Sequence, residues 1–242
     1  MEPSVKKEPL DGGEFKIYVS SHHTFGTDAV LLSHFAGAKR NDALCDLGTG
    51  CGIIPFLMLR DGNLKSAVGV DISREAIDLA LRSRDELGLE RFLPMCADIK
   101  EIGSLLPAGQ FSLVTCNPPY KAAGAGIVNP DDIDRAARHE TLCSLDDILS
   151  AAARLLTFGG RLCMCHRPER LAELMDKMRG AKIEPKKLRL VCQRQGEEPW
   201  LVLIEGRRGG NTGLRILPTL YVESEGQLSA EMSDIYGCYK RG

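Results

Sequence analysis

A chain of 242 residues with 43% hydrophobic and 26% charged content is long enough to bury a core in one principal domain, and its formal net charge of −2 excludes a uniformly basic surface. No run approaches the ~20 apolar positions of a membrane span, and the charged opening MEPSVKKEPLDGGE lacks the apolar segment of a secretory signal, so a cytoplasmic setting without membrane partners is expected. Nine cysteines, scattered without a C-x-x-C pair, point to neither a disulfide framework nor a zinc site, and no metal is expected.

In chain order, Lys16 to Ser20 (KIYVS) has strand-forming composition, and Thr27-Asp28 reads as the N-cap of an amphipathic helix. A short apolar strand from Ala43 ends at Asp46, and glycines at 48, 50 and 52 lead into a helix over Ile53 to Arg60, with Pro55 in its first turn. Strands follow at Ala67 to Val70, ending in Asp71, at Phe92 to Ala97, before Asp98, and at Phe111 to Cys116. Between and after them helices are expected over Arg74 to Leu87, Leu145 to Leu156 and Glu169 to Arg179. Further strands are Gly160 to His166, where Cys163 and Cys165 share a buried face, and a hairpin of Lys186 to Arg194 with Trp200 to Arg207. This alternation predicts an α/β fold: a doubly wound, mostly parallel seven-stranded sheet closed by an antiparallel C-terminal hairpin. The expected division is an N-terminal extension over 1–26, a catalytic domain over 27–221 and a tail over 222–242.

Two segments carry chemistry. The glycines at 48, 50 and 52 let the backbone approach a ligand at a helix start, but a dinucleotide fingerprint needs a third glycine where Ile53 stands. The closer spacing suits a ligand without a pyrophosphate. Asp71 at the next strand end can accept both hydroxyls of a ribose, and Asp98 at the third can meet an adenine amine. The fourth strand ends in Asn117-Pro118-Pro119-Tyr120. The Asn117 side-chain oxygen and the Pro118 carbonyl can accept the N–H bonds of a planar amine, drawing its nitrogen toward tetrahedral geometry and freeing the lone pair. The prolines stiffen the turn and Tyr120 offers a stacking face. Lys121 to Asp132 (KAAGAGIVNPDD), directly after this motif, reads as a lid that orders over substrate.

With HTFGTDAVLLSHFA, DLGTGCGIIP, VGVDIS, NPPY, ARHE and GGRLCMCHRPERLAEL in place, the chain resembles the class I S-adenosylmethionine-dependent methyltransferases that carry NPPY as their amine motif. Within that group it is most similar to the bacterial tRNA adenine-N6 methyltransferases that modify the adenine beside the anticodon of a valine tRNA. The resemblance implies S-adenosylmethionine as cofactor, held by Thr27, Asp46, Gly48, Gly50, Gly52, Asp71, Ile72, Asp98 and Asn117. It also implies direct transfer, with Asn117, Pro118 and Tyr120 as catalytic residues and the target base flipped from its stack.

The RNA substrate, expected to be tRNA, needs cations. Residues 154–215 hold 14 Lys+Arg against 7 Asp+Glu, an imbalance suited to a polyanion-binding face in a chain of net charge −2. Lys186, Lys187 and Arg189 are the candidates there, and Lys121, Arg138 and His139 flank the amine motif. The alternatives are an rRNA guanine-N2 methyltransferase, a protein glutamine methyltransferase, disfavoured by the short segment before Thr27, and a cofactor-binding RNA-interaction protein without catalysis.

Overall fold

The computed structural model describes residues 4–10, 15–62, 64–118 and 143–237. Pro119, Tyr120, Lys121, Arg138, His139 and the expected lid over Lys121 to Asp132 lie outside the described residues.

The sheet is built on β3 (Ala43–Leu47), β4 (Ser66–Asp71), β5 (Phe92–Cys96), β6 (Phe111–Cys116) and β7 (Leu156–His166), all in parallel register. Leu44, Leu47, Val70, Leu113, Val114 and Leu162 are fully buried, as strands covered on both faces require. The hairpin of β8 (Ile183–Cys192) and β9 (Pro199–Arg208) folds back so that β9 lies antiparallel between β8 and β7. Seven strands thus stand in the order β8-β9-β7-β6-β3-β4-β5. Two-residue strands β10 (Arg215–Ile216) and β11 (Leu220–Tyr221) pair in parallel with β8 and cover its outer edge, an addition to the seven that sequence leads one to expect.

Helices coat both faces. On one side lie α1 (Thr27–Ala36), α2 (Ile53–Arg60) and α3 (Arg74–Glu86), packed around Phe56, Phe92 and Leu31. On the other lie α4 (Ile102–Leu105), α5 (Leu145–Leu155) and α6 (Leu171–Gly180). Helix α5 starts where it does because Ser144 and Asp147 form a reciprocal capping box, and its stripe Leu145, Ile148, Leu149, Ala152 and Leu155 faces the sheet. Lys16–Ser20 is a strand (β2) paired with β1 (Val5–Pro9), and β12 (Glu223–Ser224) pairs with β13 (Gln227–Leu228) before α7 (Ala230–Tyr236). Ile17 and Val19 near one end of the chain and Met232 and Tyr236 near the other belong to one core cluster with α1. Among the described residues no helix is long and apolar enough to cross a membrane.

The direction of winding reverses between β3 and β6: the chain proceeds from β3 to β4 and β5 on one side, and from β6 to β7 on the other. A sheet of this kind leaves a crevice at the carboxyl ends of those two strands. Asp46 and Asn117, the residues singled out at their ends, fall beside that crevice.

Candidate active site

A cleft of about 780 Å³ opens over the carboxyl ends of the strands. Gly48, Asp71, Ile72, Ala97, Asp98 and Ile99 line its β3–β5 half. Asn117 and Pro118 stand at its middle, and His166, Arg170 and Lys177 line the β7–α6 side.

The glycine loop owes its shape to positive backbone angles, φ 73° at Gly48 and 56° at Gly50, which L side chains rarely adopt. A Cβ at either position would meet no atom of the described residues within 4 Å, which leaves room over the loop for a ligand. Gly52, with φ 85°, is needed for a second reason too: a Cβ there would stand 2.9 Å from the Phe56 and Phe92 rings. The loop is tied to the next strand by Asp71, whose Oδ2 accepts the Gly50 N–H at 2.8 Å while its Oδ1 accepts the Ser73 N–H at 2.9 Å. Each oxygen keeps a further lone pair for a ligand hydroxyl. Ile72 is 46% exposed on the lip of the cleft, an apolar surface beside the acid. Asp98 lines the cleft while its Oδ1 accepts the Lys100 N–H at 2.9 Å. These residues offer a carboxylate for a ribose, apolar contact for a heterocycle and a backbone cradle, which fits the cofactor that the sequence implies.

Asp46 is placed differently from its neighbours. It lies buried and does not line the cleft; its Oδ1 accepts the Thr115 hydroxyl proton at 2.6 Å. Burial pushes its carboxyl up to about 7, against the opposing effect of the Thr115 hydrogen bond. Asp46 thus acts from behind, by holding β3 to β6. Because its folded-state pKa is raised, its contribution to stability is greatest below about pH 4 and is lost as pH rises toward about 7, where the folded protein ionises too. Asp46→Asn keeps the acceptor for Thr115 and should remove this downward slope, measured as the difference between variant and parent in urea midpoints from pH 4 to 8. Parallel pH profiles for the two proteins would contradict the assignment.

Thr27 also moves out of its expected role. The N-cap of α1 is Gly26, not Thr27, and no side chain caps that end. The Thr27 hydroxyl is 2.7 Å from the Tyr236 hydroxyl, which ties α1 to α7, and Thr27 is absent from the cleft wall. The next residue, Asp28, lines the cleft, and its Oδ2 accepts from Asn117 Nδ2 at 3.0 Å. Asn117 Oδ1 is 2.8 Å from the Cys165 sulfur, from which it accepts the thiol proton.

Other contributors escape a reading by motif. His23 lines the cleft with Nε2 3.0 Å from the Ser73 hydroxyl; its place four residues before Thr27 in HTFGTDA was the available signal. His166, at the end of β7, accepts the Arg167 N–H on Nδ1 at 2.8 Å, so its neutral form carries the proton on Nε2. Arg170 forms a fork with Glu173, both contacts at 2.9 Å, as the i,i+3 spacing allows.

The basic candidates lie away from the cleft and are engaged internally. Lys187 Nζ is 2.8 Å from Glu205, which is 1% exposed. Arg189 pairs with Glu231 at 2.6 Å and donates to the Pro218 carbonyl, and Lys186 donates to the Asn211 carbonyl at 3.0 Å. The excess of cations in the sequence is therefore partly cancelled in the fold by carboxylates that packing brings alongside.

Residues 38–206 match the family profile described as a methyltransferase domain. A protein of a Flavobacteriaceae bacterium named tRNA1(Val) (adenine(37)-N6)-methyltransferase is 28% identical over 57% of this chain and 57% of its own length. A protein of the same name from Cronobacter sakazakii is 26% identical over 83% of this chain and 84% of its own. Among solved structures, a predicted O-methyltransferase from Agrobacterium tumefaciens superposes with a TM-score of 0.71 over 88% of this chain and 97% of that one, at 22% identity, a likeness of fold.

Proposed function

The chain belongs to the methyltransferase domain family, and we propose that it transfers a methyl group from S-adenosylmethionine to the exocyclic N6 of an adenine in tRNA, beside the anticodon. One observation carries this reading: at the end of β6, Asn117 and Pro118 line the cleft that Gly48 and Asp71 also line. The names of the relatives from the Flavobacteriaceae bacterium and Cronobacter sakazakii support the choice of base and RNA.

The cofactor, when bound, supplies an electrophilic sulfonium methyl. The chain has to bind it, present an amine in line and exclude water. Gly48 and Gly50 leave room for close approach, Asp71 accepts ribose hydroxyls, and Ile72 and Asp98 face the heterocycle. Asn117 Oδ1 and the Pro118 carbonyl accept the two amine N–H bonds, an interaction that strengthens as the nitrogen becomes tetrahedral. Tyr120, next but one in sequence, supplies the ring against which a flipped base stacks.

The decisive measurement is transfer of labelled methyl from S-adenosylmethionine to total tRNA, total rRNA and protein in parallel, with nucleoside analysis of the product. N6-methyladenosine in tRNA is the expected result. Label in rRNA as N2-methylguanosine, or in protein, would overturn the choice of substrate. A second expectation concerns the cofactor: Asp71→Ala should weaken its binding by about 1.5–3 kcal/mol, the scale of a charged hydrogen-bond partner. Unchanged affinity by calorimetry in the folded variant would remove Asp71 from the site.

A further inference from the structure

A primary amide is nearly symmetric in shape, and a rotation of 180° exchanges its acceptor for its donor. For Asn117 to accept N–H bonds from an amine, Oδ1 must be the end presented, and something has to forbid the rotated form. Two side chains from different elements meet the two ends of this amide. Asp28, on the first turn of α1, takes Nδ2 at 3.0 Å, and Cys165, on β7, meets Oδ1 at 2.8 Å. The position of Cys165 follows from register: Cys116 of β6 pairs with Met164 of β7, so the next residue on each strand falls side by side.

We infer that Asp28 and Cys165 are positioning residues that clamp the Asn117 amide, Asp28 deciding which end is the acceptor and Cys165 holding that end in place. The inference rests on the reading of Asn117 as the amine acceptor and deepens it. The chemistry is one-directional. An ionised carboxylate can only accept, so Nδ2 must face Asp28, and a thiol proton is donated, so the oxygen must face Cys165. In the rotated amide, Oδ1 would confront a carboxylate oxygen and Nδ2 would be left with sulfur, a weak acceptor. Cys165 is fully buried, so water cannot replace it. Oxygen has a second lone pair, which leaves Oδ1 able to accept from substrate while it accepts from the thiol. The residue at 26 is part of the device: a Cβ there would stand 2.7 Å from Asp28 Oδ1, although the backbone, φ −113°, suits any residue. Glycine at that position leaves the carboxylate its place.

The test exchanges the two partners. Asn117→Asp alone sets two carboxylates against each other, and Asp28→Asn alone removes the rule that orients the amide. Each should slow single-turnover methylation roughly tenfold or more and lower the urea midpoint. Asn117→Asp combined with Asp28→Asn restores a donor facing an acceptor and still presents an oxygen to substrate. It should recover rate to within a few-fold of the parent and regain the midpoint, a rescue that loss of packing would not give. Cys165→Ser, which keeps a donor, should retain more of the rate than Cys165→Ala at matched cofactor affinity. Single variants as fast as the parent, or an exchanged pair no better than the worse single, would overturn the clamp. If the parent methylates no tRNA, the functional reading fails, and the midpoints of the same four proteins still decide whether residues 28 and 117 are paired.

Discussion

Asn117→Ala is expected to slow single-turnover methyl transfer about 10²–10³-fold, the cost of losing one preorganised polar group aimed at charge that develops during reaction. Ground-state binding should change far less, because most of the groups assigned to the cofactor lie on the β3–β5 half of the cleft: the loop at Gly48 and Gly50, Asp71, Ile72 and Asp98. The amine's N–H bonds polarise as its nitrogen gives up conjugation with the ring, and at that moment an acceptor fixed in place is worth most. Alanine leaves the Pro118 carbonyl as the remaining acceptor of the pair. It also leaves Asp28 without the Asn117 donor, so some loss of stability accompanies the loss of rate, and cofactor affinity in the folded variant is the necessary control. Rapid-quench measurement at saturating cofactor and tRNA, beside calorimetry, separates the two effects. Full turnover in the alanine variant would reduce this segment to a turn at the end of β6.

The sheet and the glycine loop were legible because several local signals agreed. Apolar runs ended in acids, glycines preceded a helix, and turn residues separated the hairpin strands, each of which can be read within a few residues. The boundaries of α2 and β6 coincide with the expected ones, and α3, α5 and β9 differ by a residue or so. What escaped reading depends on contacts between distant positions. Asp28 and Asn117 are 89 residues apart, and Cys165 is 48 from Asn117. Neither contact has a local pattern: Thr27-Asp28 looks like a cap, and an alternating pair of cysteines looks like core. The reading of Lys187 and Arg189 as an RNA face failed to foresee their engagement for the same reason. A charge count treats every cation as solvent-facing, whereas the carboxylates that hold these two come from β9 and α7. Asp46 shows the converse. Its place in the motif was evident, but burial turned it from a wall of the cleft into a support beneath it.

The largest stability effect is expected from a residue no motif marks. Arg161, the middle residue of β7, is 7% exposed and does not line the cleft. Its guanidinium bonds Asp42 at 2.9 Å, approaches Glu205 at 3.4 Å and donates to the Ala36 carbonyl at 2.6 Å, the last residue of α1. One cation thus joins β7, β9, the entry to β3 and the end of the helix whose first turn carries Asp28. Replacing such a pair by well-packed apolar groups can be neutral, but removing one partner alone leaves the others charged and buried. Arg161→Ala should therefore cost about 3–5 kcal/mol of unfolding free energy, by the usual scale for breaking a buried ion pair. Lys187→Ala removes a cation from the same Glu205, but its side chain is 38% exposed and Arg161 remains, so its cost should be below about 1 kcal/mol. Urea denaturation of both variants checks the order, with the slope of each transition confirming that unfolding stays cooperative. A cost for Arg161→Ala no larger than that for Lys187→Ala would mean that Asp42 and Glu205 find water or other partners once the guanidinium is gone, and that this cation is not what joins the end of α1 to β7.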